Sequence, residues 1–450
     1  MNIQNAPSAD VIRSLARTMN HHRDTMIQDL VALCAIPSVA GESTDEAPYG
    51  RETALALDWF LNRAQSMGFR TVNLDNRAGF VEFGSGTRLV AALCHLDVVP
   101  SGDGWQTGPF DPVVTDDRII ARGTADDKGP AIAVLHAMKD LMDSGYQPNG
   151  RIRLIVGLDE ERGSSCMAHY VRVAELPDAG FTPDASFPVI YAEKGLCWFQ
   201  IIMPASQSAD DALRLAGASG GTSPNMIPGH CELSFIKQDQ TRTTEAVAGV
   251  IGHASTPWNG RNAISQAMAL AARLLQENQS QHPFVSFYQQ SIGAGWRGEG
   301  LAIDCSDASG PLTFNAGRLE LDEKQATLTV DIRYPVTASF ESIWETLQQR
   351  VRPWQASLKL MSHIPPLHVP LDSFLVQTLT DVYASLTGHQ AEPVAIGGGT
   401  YARTMPNVVA FGSAFPGEPD TVHQADEFIQ IDHWLASSAI YREALKRLSE

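Results

Sequence analysis

One strand–helix–strand pattern constrains the fold of this chain more than any other feature. TRLVAALCH at 87–95 and RIRLIVGL at 151–158 are apolar runs of strand length, and KGPAIAVLHAMKDLMDSG at 128–145 has helical length. Pro130 stands near the first turn of that helix and Gly145 just past its end, where each residue type is favoured. Elements in this order predict an α/β fold, with helices covering the faces of a sheet.

The chain has 450 residues, which is too many for one ordinary compact core, so we expect two domains or one domain with a large insert. Between about residues 194 and 364 the pattern changes to alternating strands, such as ATLTVDIRYP at 326–335, with one clear helix in NAISQAMALAARLL at 262–275. Two consecutive prolines close this region, because they stop regular structure. We therefore predict an α/β domain made of residues 1–193 and 367–450, interrupted by an α+β domain of residues 194–366.

Charge and cysteine content exclude several classes of partner. Lys and Arg total 33 against 51 for Asp and Glu, a net charge of −18, whereas nucleic acids and anionic membranes require basic surface. No apolar run approaches the roughly 18 residues of a membrane helix, and the N-terminus shows no secretory signal. The six cysteines include no C-x-x-C pair, which predicts neither a disulfide framework nor a thiolate zinc site. These features indicate a cytoplasmic protein.

Acidic residues and one histidine follow the ends of three predicted strands. His95 and Asp97 follow the first, Asp126 and Asp127 follow the short strand in DRIIARG, and Glu160 and Glu161 follow the third. Each pair taken alone has an ordinary explanation: a histidine beside a surface acid, a helix N-cap, or a solvated face. Ligands in α/β proteins bind at the carboxyl ends of strands, so the three pairs together predict a metal site.

The chemistry of a two-metal hydrolase gives these residue types a reason. Zinc takes imidazole nitrogen and carboxylate oxygen in sites that keep a position open for water. Two neighbouring metals need one carboxylate to bridge them, and a further carboxylate to move the proton of the attacking water. Glu160 and Glu161 could divide the ligand and base roles between them. Asp97 is placed to orient the imidazole of His95.

Eight motifs resemble one known family over nearly the whole chain, from about Ile27 to Phe428. In chain order they are HLDVVPSGDGW, GTADDKGP, GLDEERG, PDASFPVIYAEKG, GHASTP, DIRYP, GGGTYAR and HQADEF. They resemble the co-catalytic zinc peptidases that include glutamate carboxypeptidase, aminoacylase and succinyl-diaminopimelate desuccinylase, and most closely the PepV-type dipeptidases. The resemblance implies an α/β, zinc-peptidase-like catalytic domain with an inserted α+β lid domain.

The resemblance also implies two divalent metal ions, zinc foremost, with manganese or cobalt as alternatives. Its metal ligands would be His95, Asp126 as the bridge, Glu161, Asp184 and His423. Glu160 would be the general base, and the Asp126–Asp127 peptide bond would be cis.

Further residues resemble the family's substrate-binding groups. His253 in GHASTP would stabilise the oxyanion, while Asn225 and Arg333 would hold the scissile carbonyl and the substrate carboxylate. Gly398 and Gly399 lie in a glycine turn whose amides would suit an anion, and no GxxxxGK frame marks that turn as a nucleotide site. Judged without the resemblance, His253 could be an ordinary loop histidine and Arg333 an exposed strand residue.

The sequence therefore predicts a metal-dependent dipeptidase that acts on small peptides. One alternative is an N-acyl amino acid deacylase or desuccinylase, which would use the same metals without a pocket for a free α-amino group. The other is a non-catalytic metal- or peptide-binding protein, which would have no use for a general base. We expect a monomer rather than a homodimer, because the enlarged lid of PepV-type enzymes replaces a partner subunit.

Overall fold

The computed structural model describes residues 6–450. The chain forms two compact units, which we call the first unit and the second unit. The first unit contains the described residues up to 191 with 369–394 and 399–450, and the second contains 192–368 with 395–398. The sequence-based division places its boundaries after residues 193 and 366, and assigns 395–398 to the first domain.

The first unit combines helices with a mixed sheet whose central strands run parallel. Its helices are Ala9–Thr18, Arg23–Cys34, Arg51–Ser66, Lys128–Asp143, Ser165–Val173, Phe374–Thr387 and Ile431–Leu448. Its strands are Arg70–Leu74, Ala78–Ser85, Leu89–His95, Val113–Val114, Arg118–Ile120, Gly150–Gly157, Ala179–Thr182, Ala185–Ser186, Val189–Glu193 (whose last two residues fall in the second unit), Val408–Phe411, Ser413–Ala414 and Phe428–Gln430.

The parallel centre of that sheet positions the candidate site. Leu89–His95 is buried along its whole length and runs parallel to Gly150–Gly157 on one side and to Ala179–Thr182 on the other. Val408–Phe411 continues the parallel arrangement beyond Ala179–Thr182. Because parallel strands end at the same edge, the residues after them meet there.

Two helices cover this sheet and pack against each other. Trp434 on Ile431–Leu448 is buried, and its indole N–H donates to the carbonyl of Gly129 at 2.7 Å. Ser438, one turn further on, donates to the carbonyl of Ala133 at 2.8 Å. The predicted helix 128–145 is thus confirmed as Lys128–Asp143. The two hydrogen bonds from the C-terminal helix hold the first turns of this helix, which begins directly after Asp127.

The predicted strand in DRIIARG does form, as Arg118–Ile120, but it lies outside the main sheet. It pairs with Val113–Val114 and with Phe428–Gln430 in a separate three-stranded sheet. Asp126 and Asp127 therefore reach the site on the loop before a helix rather than from a strand of the main sheet. The third parallel strand that reaches the site edge is Ala179–Thr182.

The second unit is built on a seven-stranded antiparallel sheet. In spatial order its strands are Arg242–Ala248, His230–Lys237, Leu213–Gly220, Thr313–Leu321, Gln325–Tyr334, Gly195–Pro204 and Ser357–Ile364. Short strands are Met226–Ile227, Gly252–His253, Ser306–Asp307, Gly310–Pro311, Leu367–His368 and Val394–Ile396 (whose first residue falls in the first unit), and the helices are Ala263–Glu277, Pro283–Ser291 and Phe340–Val351.

The predicted alternation in 326–335 is confirmed only for its apolar face. Leu328, Val330 and Ile332 lie in the core of the second unit, as expected. Asp331 and Arg333 on the other face are buried as well, so Arg333 is not an exposed strand residue. A strand in the middle of a sheet can be covered on both faces, which its alternating pattern does not reveal.

Two bulk expectations can be compared with the structure. All six cysteines are unpaired, and five of them are buried, which confirms that the chain has no disulfide framework. Within residues 6–450, every helix is too short or too polar to traverse a lipid bilayer.

Candidate metal centre

His95 is the fixed point of the first unit's site. It is the last residue of its strand and is fully buried. Its Nδ1 lies 2.9 Å from the backbone carbonyl of Asp97, which can only accept, so Nδ1 carries a proton. Its Nε2 lies 2.8 Å from Oδ1 of Asp126 and 3.9 Å from Oδ2 of Asp184. Nε2 therefore faces carboxylate oxygens, with which it could share a cation.

Asp126 lies between two histidines, with one on each of its oxygens. His95 approaches Oδ1, and Nε2 of His423 lies 3.0 Å from Oδ2. His423 is also 3.1 Å from Oε1 of Glu161. A carboxylate whose two oxygens face different ligand groups has the arrangement that a bridging ligand requires.

The remaining acids complete two overlapping groups of ligand atoms. In one group the atoms of His95, Glu160 and Asp184 all lie within 4.8 Å of one another, and in the other those of His95, Asp126 and Glu161 do. Imidazole nitrogen and carboxylate oxygen suit zinc and other divalent first-row metals. The structure thus brings together all five predicted ligands and Glu160.

Two acids of this cluster lie in surroundings that disfavour their negative charge. Burial raises the pKa of Glu160 to about 8, and although His95 opposes this, repulsion from Glu161 and Asp126 adds to it. Burial and repulsion from Asp126 raise the pKa of Asp184 well above its ordinary value. Buried carboxylates this close together repel one another unless a cation lies among them. The donor set and its charge therefore fit a dinuclear metal centre.

The two histidines respond in the opposite sense. Burial alone would lower the pKa of His95, but hydrogen bonds to Asp126 and Asp97 hold it well above its ordinary value. Hydrogen bonds to Asp126 and Glu161 raise the pKa of His423 to about 10. Burial would raise the pKa of Asp126, but the two imidazoles hold it below its ordinary value. Positive charge is therefore favoured at the points where the predicted metals would bind.

Asp97 fixes the backbone that carries Glu160 and Glu161. It is fully buried, and its Oδ1 and Oδ2 accept the backbone N–H groups of Glu160 and Glu161, each at 3.2 Å. Its carboxylate is 3.5 Å from Nδ1 of His95, further away than its own backbone carbonyl. Asp97 thus holds the imidazole mainly through its carbonyl, and its carboxylate holds the glutamate turn.

Asp127 follows Asp126 through a cis peptide bond, as the family resemblance implies. Its Oδ2 accepts the backbone N–H of His95 at 3.0 Å. The carboxylate of Asp127 therefore contacts the end of the strand and not the side chains of the predicted metal ligands. Burial raises the pKa of Asp127 to about 8, against the opposing charge of His95. Asp127 therefore helps to position His95 through its backbone.

Sequence reasoning did not identify Glu427, which holds the loop that carries Asp126. Glu427 is fully buried, and its Oε1 accepts three backbone N–H groups of that loop: Gly123 at 3.1 Å, Ala125 at 2.9 Å and Asp126 at 3.2 Å. Its Oε2 pairs at 2.6 Å with Arg122, which is equally buried. Glu427 stands in the quoted motif HQADEF, four residues after His423, and this is the only signal in the sequence that could have identified it.

The second unit brings His253 and Asn225 together. The short strands Met226–Ile227 and Gly252–His253 are paired, and the backbone N–H of Ala254 donates to the carbonyl of Asn225 at 2.8 Å. Nδ1 of His253 lies 2.6 Å from the hydroxyl of Ser255, which can donate to it, and accepts the backbone N–H of Ser255 at 3.3 Å, an arrangement that leaves the proton on Nε2. Burial and the charge of Arg333 lower the pKa of His253, so it is a neutral donor.

Arg333 is buried beside the glycine turn. Its Nε and one terminal nitrogen donate to the two oxygens of Asp331 at 3.3 Å, and its other terminal nitrogen donates to the carbonyl of Gly397. Asp331 is fully buried and also accepts the indole N–H of Trp198 at 2.8 Å. These contacts account for three of the five N–H donors of a guanidinium.

The glycine turn is crowded at two of its three positions, at Gly397 by the Cβ of Ser255 and at Gly399 by the flexible side chain of Arg403. A Cβ on Gly397 would lie 2.9 Å from that of Ser255, and a Cβ on Gly399 would lie 2.5 Å from Nε of Arg403. Gly398 belongs to the second unit and Gly399 to the first. Within the second unit, His253, Asn225, Arg333 and Gly397 thus form one neighbourhood.

Comparison with known proteins identifies the family to which the chain is similar. The model of peptidase family M20/M25/M40 matches residues 91–447. A protein of Bacillus subtilis (strain 168), named "Putative dipeptidase YtjP", is 37% identical over 461 aligned residues, which cover 95% of this chain and 98% of that protein. These matches confirm the resemblance seen in the motifs.

Two solved structures share the fold. Aminoacylhistidine dipeptidase from Vibrio alginolyticus gives a TM-score of 0.62 at 16% identity, covering 94% of this chain and 96% of that one. The Bacillus subtilis YXEP protein, described as a dinuclear metal binding peptidase from the M20 family, gives a TM-score of 0.55 at 13% identity, covering 96% of this chain and 99% of that one. The α/β fold class is confirmed, and the chain belongs to peptidase family M20/M25/M40.

Proposed function

We propose that this metallopeptidase is a dipeptidase that hydrolyses the amide bond of dipeptides with two divalent metal ions. The observation that carries the proposal is the carboxylate of Asp126, which faces His95 on one oxygen and His423 on the other. The names of the Bacillus relative and of the Vibrio structure point to the same substrate class.

We assign the metal ligands from these contacts. Asp126 would bridge, Asp184 lies on the His95 side of it, and Glu161 contacts His423 on the other. Zinc is the metal that this set of imidazoles and carboxylates suits best, with manganese or cobalt as alternatives. Bound metals would lower the pKa of water and polarise the scissile carbonyl.

Glu160 is the proposed general base. Its carboxylate lies in the group of ligand atoms with His95 and Asp184, where it can take a proton from water and pass it to the leaving amine. Its neighbour Glu161 contacts His423, and this leaves Glu160 as the glutamate for proton transfer. Asp97 would keep both in place through their backbone N–H groups.

The second-unit residues have the chemistry to bind the substrate. The proton on Nε2 of His253 can be donated to the oxygen of the scissile carbonyl as it becomes negative. Arg333 retains donors for the substrate carboxylate, and Asn225 and the turn of Gly398 and Gly399 would hold the carbonyl and the carboxylate. The substrate would therefore be a small peptide with a free carboxylate.

We also propose a monomer in the cytoplasm. Six unpaired thiols support a reducing compartment. The large second unit supports the monomer, because in PepV-type enzymes an enlarged lid replaces the partner subunit.

A substrate panel tests the function. Purified protein is assayed on dipeptides, N-acetyl amino acids and N-succinyl amino acids, before chelation, after chelation, and after zinc or manganese is restored. We expect dipeptide cleavage that disappears with chelation and returns with metal. Cleavage of only the acylated amino acids would identify a deacylase instead. No turnover, with two metals bound, would identify a binding protein.

A further inference from the structure

A second group of metal-ligating side chains lies outside the site described above. His21 and His22 form the end of a short 3-10 turn, Asn20–His22, between the first two helices. Both direct Nε2 at the same oxygen, Oδ1 of Asp140, at 2.7 Å for His21 and 3.4 Å for His22. The three ligand atoms all lie within 4.8 Å of one another, the same closeness as in the His95 groups.

His22 gives a second indication of a ligand. Its Nε2 is shielded from solvent and shares Oδ1 of Asp140 with His21, at the longer distance of 3.4 Å. A shielded ring nitrogen that shares one distant acceptor is poorly satisfied, and a bound cation would give it a full partner. Burial, together with the neighbouring His136 and His21, lowers the pKa of His22, which favours the neutral imidazole that metals bind.

The surroundings of Asp140 fix its orientation. Arg442, on the helix Ile431–Leu448, donates through Nε to Oδ2 of Asp140. Oδ1 is thereby directed to the two imidazoles, as when an outer partner orients a ligating carboxylate. The side chain of His21 is 58% exposed, so a cation can enter from solvent, whereas that of Asp140 is only 14% exposed.

We propose that His21, His22 and Asp140 bind a third divalent cation, separate from the two-metal centre, with zinc as the best match. Two imidazole nitrogens and one carboxylate oxygen are a zinc ligand set that water can complete. The cation would connect the turn Asn20–His22 to the helix Lys128–Asp143. Through Arg442 it would also reinforce the contact of that helix with Ile431–Leu448.

Zinc content distinguishes this site from the two-metal centre. The whole chain is loaded with zinc, desalted and analysed, alongside His21→Ala, His22→Ala and the control His169→Ala. His169 pairs with Asp75 at 3.1 Å in the same unit, and no third ligand accompanies this pair within residues 6–450. We expect one equivalent of zinc per chain to be lost in His21→Ala and His22→Ala, and none in His169→Ala. Equal zinc content in all four proteins would overturn the proposal.

Thermal unfolding gives a second readout. The measured quantity is the rise in melting temperature when zinc is added. A ligand that binds only the folded state must raise this temperature. We expect a smaller rise in His21→Ala than in the unchanged chain and an unaltered rise in His169→Ala; an identical rise in both variants would contradict the proposal. His21 is largely exposed, so its replacement should leave the fold intact, and circular dichroism checks this.

The comparison between variants does not depend on catalysis. If the chain had no dipeptidase activity, the difference of one zinc equivalent would still be measurable. If the activity were present and the difference absent, the third site alone would be refuted.

Discussion

His95 in the first unit and His253 in the second have pKa values shifted in opposite directions, although each is the last residue of a strand. In the first unit His95 is surrounded by carboxylates, and hydrogen bonds to Asp126 and Asp97 raise its pKa. In the second unit, burial and the neighbouring Arg333 lower the pKa of His253. The difference teaches that neighbours rather than residue type decide the role: one histidine is suited to share a cation, and the other to donate a hydrogen bond while neutral.

We expect the largest effect from Glu160→Gln, which removes a carboxylate from the first unit without removing a predicted metal ligand. We expect Glu160→Gln to reduce kcat by at least about 100- to 10,000-fold, the usual contribution of a positioned acid–base group. Metal content should remain unchanged, whereas Glu161→Gln should lower metal affinity. Steady-state kinetics and metal analysis measure the two effects. Loss of metal from Glu160→Gln would show that the two glutamates have exchanged roles.

The matching change in the second unit removes its neutral donor. We expect His253→Ala to lower kcat by about 100- to 1,000-fold, as loss of an oxyanion donor does. Metal affinity measured by titration should be unaffected, in contrast to His423→Ala. If His253→Ala lowered metal affinity together with kcat, His253 would act on the metals, as the first-unit histidines are proposed to do, and not as a neutral donor.

Glu427 tests whether the first unit needs support from outside its ligand set. Replacing it with Gln leaves the charge of Arg122 buried and unpaired, which costs about 3–5 kcal/mol of unfolding free energy. Loosening of the Asp126 loop should weaken metal binding by about 10- to 100-fold. Denaturant unfolding and metal titration measure the two effects.

A double variant separates these two consequences of the Glu427 change. Adding Arg122→Met to Glu427→Gln removes the unpaired charge, so stability should largely recover while metal affinity stays low. If stability and metal affinity both recovered, the whole effect of Glu427→Gln would come from the broken ion pair with Arg122.

The smallest effect concerns recognition in the second unit. We expect Arg333→Met to raise KM for dipeptides about 10- to 100-fold, because hydrogen bonds to a charged group contribute about 1.5–3 kcal/mol. Dipeptide amides, which lack the carboxylate, should show a much smaller difference between the unchanged chain and the variant. An equal rise in KM for acids and amides would show that Arg333 acts on the fold rather than on the carboxylate.

Local patterns in the sequence predicted the part of the fold and site that depends on neighbouring residues. The strands ending at His95 and Gly157 are buried apolar runs, so the residues after them could be placed at one edge. Asp184 and His423 were identified only through the family resemblance, because an isolated acid or histidine in a loop has no local signal.

Long-range pairing explains what local patterns did not predict. Arg118–Ile120 pairs with Phe428–Gln430, some 300 residues away along the chain, so nothing nearby indicated that it leaves the main sheet. Strand preference depends on such neighbours more than on intrinsic propensity. The support that Glu427 gives to the Asp126 loop was missed for the same reason.

The contact between Glu427 and the loop at Arg122 also has a consequence for biosynthesis. The two residues are 305 positions apart, so the loop cannot reach its final conformation until the last part of the chain has left the ribosome. The second unit, encoded entirely between them, can fold earlier and so shorten the effective loop that must close. Nascent chains that stop before Glu427 should therefore contain a folded second unit and an incomplete metal centre, which would keep the peptidase inactive until translation ends.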